Sequence, residues 1–260
     1  MSNIINAFKN NKAFIAFITC SDPDINTSLN IIREAARNGA DLIELGIPFS
    51  DPTAEGPVIQ EANLRALNSG ITTDKIFDMV RTLRLEINIP LVFMTYANVI
   101  FSYGSEKFIR TCSEIQIDGL IIPDLPYEEK NEFLPTCEKY HVDLISMIAP
   151  TSEKRIAMIA SEAEGFIYIV SSLGVTGVRS EITTDLDAII QSVRKHSSLP
   201  CAIGFGISTP QQAAKMARIA DGVIVGSAII KIIAKYGREA PEYVGEFVKS
   251  MKDAVLNISD

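Results

Sequence analysis

Short apolar runs rich in β-branched residues alternate along this chain with longer stretches of helical periodicity. The runs span residues 13–19, 41–46, 91–95, 119–122, 143–148, 166–170, 201–204 and 222–225. Most are apolar on both faces, as expected of parallel strands with core on one side and helices on the other. Residues 27–38 carry Leu29, Ile32, Ala35 and Ala36 at helical spacing and stop at Gly39. Residues 74–86 repeat the pattern with Ile76, Phe77, Val80, Leu83 and Leu85, and residues 185–196 with Leu186, Ile189, Ile190 and Val193. A further helix is predicted over 57–67, with Pro57 in its first turn, and a short one over 3–10 ahead of the first strand.

Eight strand runs, each followed by a helix, predict an α/β fold: a (β/α)8 TIM barrel, with residues 1–260 as one domain. Long gaps at 46–95 and 170–204 predict enlarged loops after strands two and six. The competing fold is an open doubly wound sheet. Its glycine fingerprint belongs after the first strand, where Thr19-Cys20-Ser21-Asp22 has no glycine.

Composition narrows the function classes. The chain has 260 residues, is 47 % apolar, 22 % charged and carries a net charge of −8. That excludes a disordered chain and disfavours nucleic acid and anionic membranes as partners. No apolar stretch reaches the roughly 20 residues of a membrane span. Lys9, Lys12 and the apolar run after them weakly imitate a signal peptide, but Asp22-Pro23-Asp24 breaks the run, and a first strand is the better reading. Cys20, Cys112, Cys137 and Cys201 form no CxxC pair, and His141 and His196 are distant in sequence from them. Reduced core cysteines in a cytoplasmic protein are expected, rather than a metal site.

In a barrel, chemistry sits at the C-terminal ends of the strands. Glu44 lies inside the apolar run 41–46. A buried carboxylate there is either ion-paired or holds a raised pKa suited to acid–base work. The following loop, 47–57, holds three prolines and the acids Asp51 and Glu55. Glu55 reads either as a helix-terminus carboxylate or as the second member of an acid–base pair. Late glycines follow strands six, seven and eight: Gly174 and Gly177, Gly204 and Gly206, and Gly226 before Ser227. Backbone amides there suit a phosphate. Residues 201–210 and 221–230 contain no Lys or Arg, so amides rather than a cationic side chain would hold it. Phe17, Tyr96, Tyr168 and Phe205 could wall a flat ring.

Residues 44–52 (Glu-Leu-Gly-Ile-Pro-Phe-Ser-Asp-Pro) with Glu55-Gly56-Pro57 resemble the signature of the tryptophan synthase alpha chain family. Tyr96-Ala97-Asn98, Pro123-Asp124-Leu125-Pro126, Gly174-Val175-Thr176-Gly177, Gly204-Phe205-Gly206 and Gly226-Ser227-Ala228 are similar to its other landmarks, in order, from Phe17 to Lys231. The resemblance implies cleavage of indole-3-glycerol phosphate to indole and glyceraldehyde 3-phosphate, with no cofactor in this chain. It also implies a pyridoxal-phosphate-bearing beta chain as partner in an α2β2 assembly. By motif position, Glu44 and Glu55 would be catalytic. Phe17, Tyr96, Tyr168 and Phe205 would line the indole pocket, and Gly177, Gly206, Gly226 and Ser227 would hold phosphate. Asp51 and Thr176 would link the loops after strands two and six, with Asn98 and Pro126 toward the partner. Two positions depart from the family pattern. Glu55 stands where Asp is commoner, and Thr53 where an aliphatic residue is usual. A stand-alone lyase, another sugar-phosphate barrel and a catalytically weak partner subunit remain alternatives at this point.

Overall fold

A computed structural model of the chain describes residues 2–171, 185–204 and 206–258. Eight parallel strands close into a barrel in sequence order. They are β1 (Ala13–Thr19), β2 (Leu42–Gly46), β3 (Leu91–Met94), β4 (Gly119–Ile121), β5 (Asp143–Ile148), β6 (Glu164–Val170), β7 (Cys201–Gly204) and β8 (Gly222–Val225). Closure is made by β8 against β1, with Ala13 beside Gly222 and Ala16 beside Val225. The alternating runs were therefore strands, and the ring leaves no sheet edge. The open-sheet alternative falls with the β1–β8 pairing.

The helices pack outside. They are α1 (Ile25–Arg37), α2 (Pro57–Asn68), α3 (Thr73–Arg84), α4 (Ala97–Tyr103), α5 (Ser105–Glu114), α6 (Leu134–Tyr140), α7 (Glu153–Ser161), α8 (Leu186–Arg194), α9 (Pro210–Ile219), α10 (Ser227–Tyr236) and α11 (Ala240–Leu256). Local chemistry starts several of them. Asp24 accepts the Thr27 amide at 3.0 Å at the start of α1, and Thr209 with Gln212 forms a reciprocal capping box on α9. The stripe of α3 buries Ile76, Phe77, Val80 and Leu83. Leu85, expected on that stripe, is instead 85 % exposed. It lies two residues beyond Leu83, about 200° around a helix, and the chain turns back there to bury Ile87.

The gap between β2 and β3 is filled by α2 and α3, so the loop before α2 is confined to residues 47–56. The expected enlarged loop after β6 lies outside the described residues. Ahead of β1, the predicted short helix is a 3-10 turn over Ile4–Phe8 that plugs the barrel floor. Ile4 is fully buried, and the Phe8 ring sits 5.8 Å from that of Phe166. Helix α11 closes the same end: Lys252 Nζ donates to Asp41 Oδ2 at 2.7 Å and to the Lys12 carbonyl at 3.0 Å. Among the described residues no helix is long and apolar enough to cross a membrane.

One ion pair seats α2 against the mouth of the barrel. Asp22, in the loop after β1, is fully buried and accepts from Arg65 Nε and Nη2, each at 2.8 Å. Burial pushes the Asp22 carboxyl up, and the guanidinium opposes that shift. Removing one member of such a pair strands a buried charge. Arg65→Met is expected to destabilise the fold by about 3 kcal/mol, read as a lower midpoint in urea denaturation with an unchanged slope.

Candidate active site

Strand register sets the inner face of the barrel at its C-terminal end. Phe17 on β1 pairs with Glu44 on β2, and Glu44 with Val92 on β3, so the three side chains share one face. That face is the interior. A Cβ built on Gly46 would come within 2.6 Å of the Phe17 ring, and one on Gly226 within 3.3 Å of it. Likewise a Cβ on Gly204 would strike the Tyr168 ring, at 2.6 Å from Cε1. Glycine at 46 and 204 is therefore what lets Phe17 and Tyr168 lie flat across neighbouring strands.

Glu44 is 1 % exposed, and its Oε2 has no hydrogen-bond partner. The ion pair that a buried strand carboxylate could have made is not among those formed by the described residues. Desolvation, and then the charge of Glu55, push the Glu44 carboxyl up to about 8. At neutral pH it is mostly the protonated acid. It also raises the Tyr168 hydroxyl, after burial itself, so the two groups are close enough to interact.

Glu55 reaches the site from the end of the loop after β2. It is 5 % exposed, and Asn63 Nδ2 donates to its Oε2 at 2.7 Å. Burial pushes its carboxyl up to about 7, and the Asn63 bond pulls the other way. Glu55 stands at the helix terminus, directly before Gly56, the N-cap of α2, but its side chain does not cap that end and is held by Asn63 instead. The loop is pinned to the segment after β3 as well, since the Ala54 amide donates to the Tyr96 hydroxyl at 3.1 Å and the Phe49 ring lies 5.2 Å from that of Tyr96. Tyr96 is 2 % exposed at the N-terminus of α4, and burial followed by the charge of Glu55 raises its hydroxyl.

The mouth therefore gathers Glu44, Glu55, Phe17, Tyr96 and Tyr168. Gly206, with φ of +80°, follows β7 and is half-buried. Gly226 caps the N-terminus of α10, and Ser227 opens its first turn. An N-terminal turn with free amides and partial positive charge is a suitable anion site. Thr176, Gly177 and Phe205 lie outside the described residues. Asp51 is exposed and accepts from the Ser50 hydroxyl at 2.5 Å. Asn98 and Pro126 are exposed on neighbouring segments, which the Ala97 amide joins by donating to Asp124 at 3.0 Å.

Sequence reasoning missed Asn63, Phe49 and the Asp22–Arg65 pair. Asn63 was visible in principle. It sits on the buried stripe of α2 with Ile59, Ala62 and Ala66, and a polar residue on an apolar stripe needs a partner.

The chain matches the family described as tryptophan synthase alpha chain over residues 5–256. It is 49 % identical over 255 residues to the tryptophan synthase alpha chain of Lacticaseibacillus casei, covering 98 % of this chain and 96 % of that one. The corresponding protein of Lactiplantibacillus plantarum is 48 % identical over 256 residues, covering 98 % and 97 %. Among solved structures, the tryptophan synthase alpha chain of Legionella pneumophila superposes with a TM-score of 0.89 at 35 % identity, covering 100 % of this chain and 99 % of that one.

The raised carboxyl of Glu44 has a consequence for stability. Between the ordinary carboxylate range and pH 8, the folded chain holds a proton on Glu44 that the unfolded chain has released. Stability therefore falls as pH rises through that window. Glu44→Gln removes this loss. Its melting temperature relative to the parent is expected to climb steadily from about pH 5 to about pH 8, as followed by calorimetry in matched buffers.

Proposed function

The chain belongs to the tryptophan synthase alpha chain family, and from that membership and the geometry of the mouth we propose how its residues carry out the family's reaction. That reaction is carbon–carbon lysis: indole-3-glycerol phosphate is cleaved to indole and glyceraldehyde 3-phosphate. The observation that carries the assignment of roles is the pair of buried carboxyls at the mouth, Glu44 with an unpartnered Oε2 and Glu55 held by the Asn63 amide.

Glu44, protonated at neutral pH, gives its proton to the ring carbon that bears the side chain. The ring becomes a cationic electron sink. The resulting carboxylate then takes the proton of the adjacent side-chain hydroxyl. As that oxygen forms the aldehyde carbonyl, the carbon–carbon bond breaks and its electron pair neutralises the ring. The proton count closes with Glu44 again an acid. Glu55, ionised over the upper part of the neutral range, accepts the indole N–H and stabilises the positive charge that develops on that nitrogen. Two carboxyls held in different protonation states suit this division.

Phe17, Tyr96 and Tyr168 flank the ring, with Phe205 assigned by motif alone. Gly206, Gly226 and Ser227, with Gly177 by motif, hold the phosphate through backbone amides and the Ser227 hydroxyl. Asp51 and Thr176 link the two loops over the site. The partner is a beta chain, with Asn98 and Pro126 on the facing surface, in an α2β2 assembly whose pyridoxal phosphate belongs to the beta chain. The two exposed residues bracket the Ala97–Asp124 contact, which supports a shared surface. Four unpaired cysteines fit work in the cytoplasm.

Glu44→Gln is expected to lower kcat for indole release by about 100-fold to 10,000-fold with the fold intact; turnover near that of the parent would sink the assignment. Because Glu44 must be protonated and Glu55 ionised, kcat/KM is expected to be bell-shaped, with an acid limb near pH 7 and an alkaline limb near pH 8. Added beta chain should raise turnover, and equal rates with and without it would remove the regulatory part of the proposal.

A further inference from the structure

Asn63 does something that neither helix formation nor packing asks of it. It sits in the interior of α2, where asparagine is a poor helix former, and it is 3 % exposed among Ile59, Ala62 and Ala66. An alanine or leucine there would serve the helix and the core better. Its Nδ2 instead donates at 2.7 Å to Oε2 of Glu55, eight residues earlier and outside the helix. The same loop end is gripped a second time, by Gln60 Nε2 donating to the Glu55 carbonyl at 2.8 Å. So the backbone of Glu55 is already placed, and Asn63 acts on the carboxylate alone.

We propose that Asn63 is the positioning residue of this site: its amide holds Oε2 of Glu55, presents Oε1 to the substrate nitrogen, and keeps the proton of the carboxyl pair on Glu44. This rests on the roles proposed above for the two glutamates.

The groups that face Glu55 explain why a neutral donor is needed. Glu44 comes from β2, and its charge and that of Glu55 repel. Tyr96 comes from the end of β3, and Asp124 also acts on that hydroxyl. No lysine, arginine or histidine pairs with Glu55 among the described residues. On the exposed Glu128, the Arg155 guanidinium together with a backbone hydrogen bond pushes the carboxyl down to about 2. A carboxylate held that firmly would be a poor acceptor for a weakly acidic N–H and would hold little charge response. With no donor at all, burial would raise Glu55 toward Glu44, and the proton would be shared between them. The amide of Asn63 lies between these limits. By favouring ionised Glu55 it also keeps Glu44 protonated, because the charge on one raises the other.

The experiment compares Asn63→Ala and the isosteric Asn63→Asp with the parent in two measurements on the full chain. One is the pH profile of kcat/KM for indole release. The other is carbon-13 NMR titration of the Glu55 carboxyl without substrate, identified by its loss in Glu55→Gln. Both variants are expected to move the acid limb and the Glu55 titration to higher pH by about half a unit or more, a roughly three-fold loss of kcat/KM on the acid side. Asn63→Asp should move it further, because it adds a like charge. Should Asn63→Ala fail to fold, the isosteric variant carries the test. A uniform fall in rate at every pH, with the Glu55 titration unmoved, would overturn the inference and leave Asn63 a packing residue. If the parent releases no indole, the catalytic roles fail instead, and the NMR titration still decides whether Asn63 governs Glu55.

Discussion

Glu44 faces inward from a parallel strand, 1 % exposed, with one carboxyl oxygen unpartnered. Desolvating a carboxylate costs several kcal/mol, and a group that cannot find a cation escapes the cost by keeping its proton. Much of the site follows from that. A protonated acid in the mouth of a barrel is a ready general acid. Phe17 stands beside it on the neighbouring strand, and Tyr168 is near enough to respond to its charge. Its own strand is paired on both sides, with β1 and β3.

The second carboxyl is placed by helix packing rather than by a strand. Glu55 stands at the junction of the loop after β2 and helix α2, and its position depends on how α2 is seated. Arg65 fixes that seat to Asp22 in the loop after β1, Tyr96 fixes the loop to the start of α4, and Asn63 and Gln60 fix Glu55 itself. The loop that carries Glu55 ends at Gly56, and the helix starts at Pro57. The net charge of −8 does not oppose the phosphate site proposed for Gly226 and Ser227. Amides at the N-terminus of α10 attract an anion locally, whatever the balance of charges on the outer helices.

Strand and helix positions were readable along the chain because the strands are short runs apolar on both faces, while helix burial repeats with period 3.6. Boundaries moved by one or two residues, and Leu85 left the core because the stripe of α3 had already ended. Glu44 was readable too, as a charge inside an apolar run. Glu55 was readable as one of two alternatives, a helix-terminus carboxylate or the second acid of a pair, and in the structure it precedes the N-cap of α2 with its carboxyl held by Asn63. Asn63 went unread because a single polar residue on a stripe resembles ordinary surface variation until its partner is known.

The chain alone pointed to the barrel, to the strand that carries the acid, and to the family, while the β1–β8 pairing closed the ring. Those depend on periodicity and short motifs, which are local properties of sequence. The tertiary structure decided how deeply the two carboxyls are buried, what holds Glu55, and which helix supplies the amide. These depend on the separations among residues 44, 55, 63 and 96, and on how completely water is excluded from them. Burial and charge–charge distance are created only when the strand, loop and helix pack together, so no pattern along the chain encodes them directly.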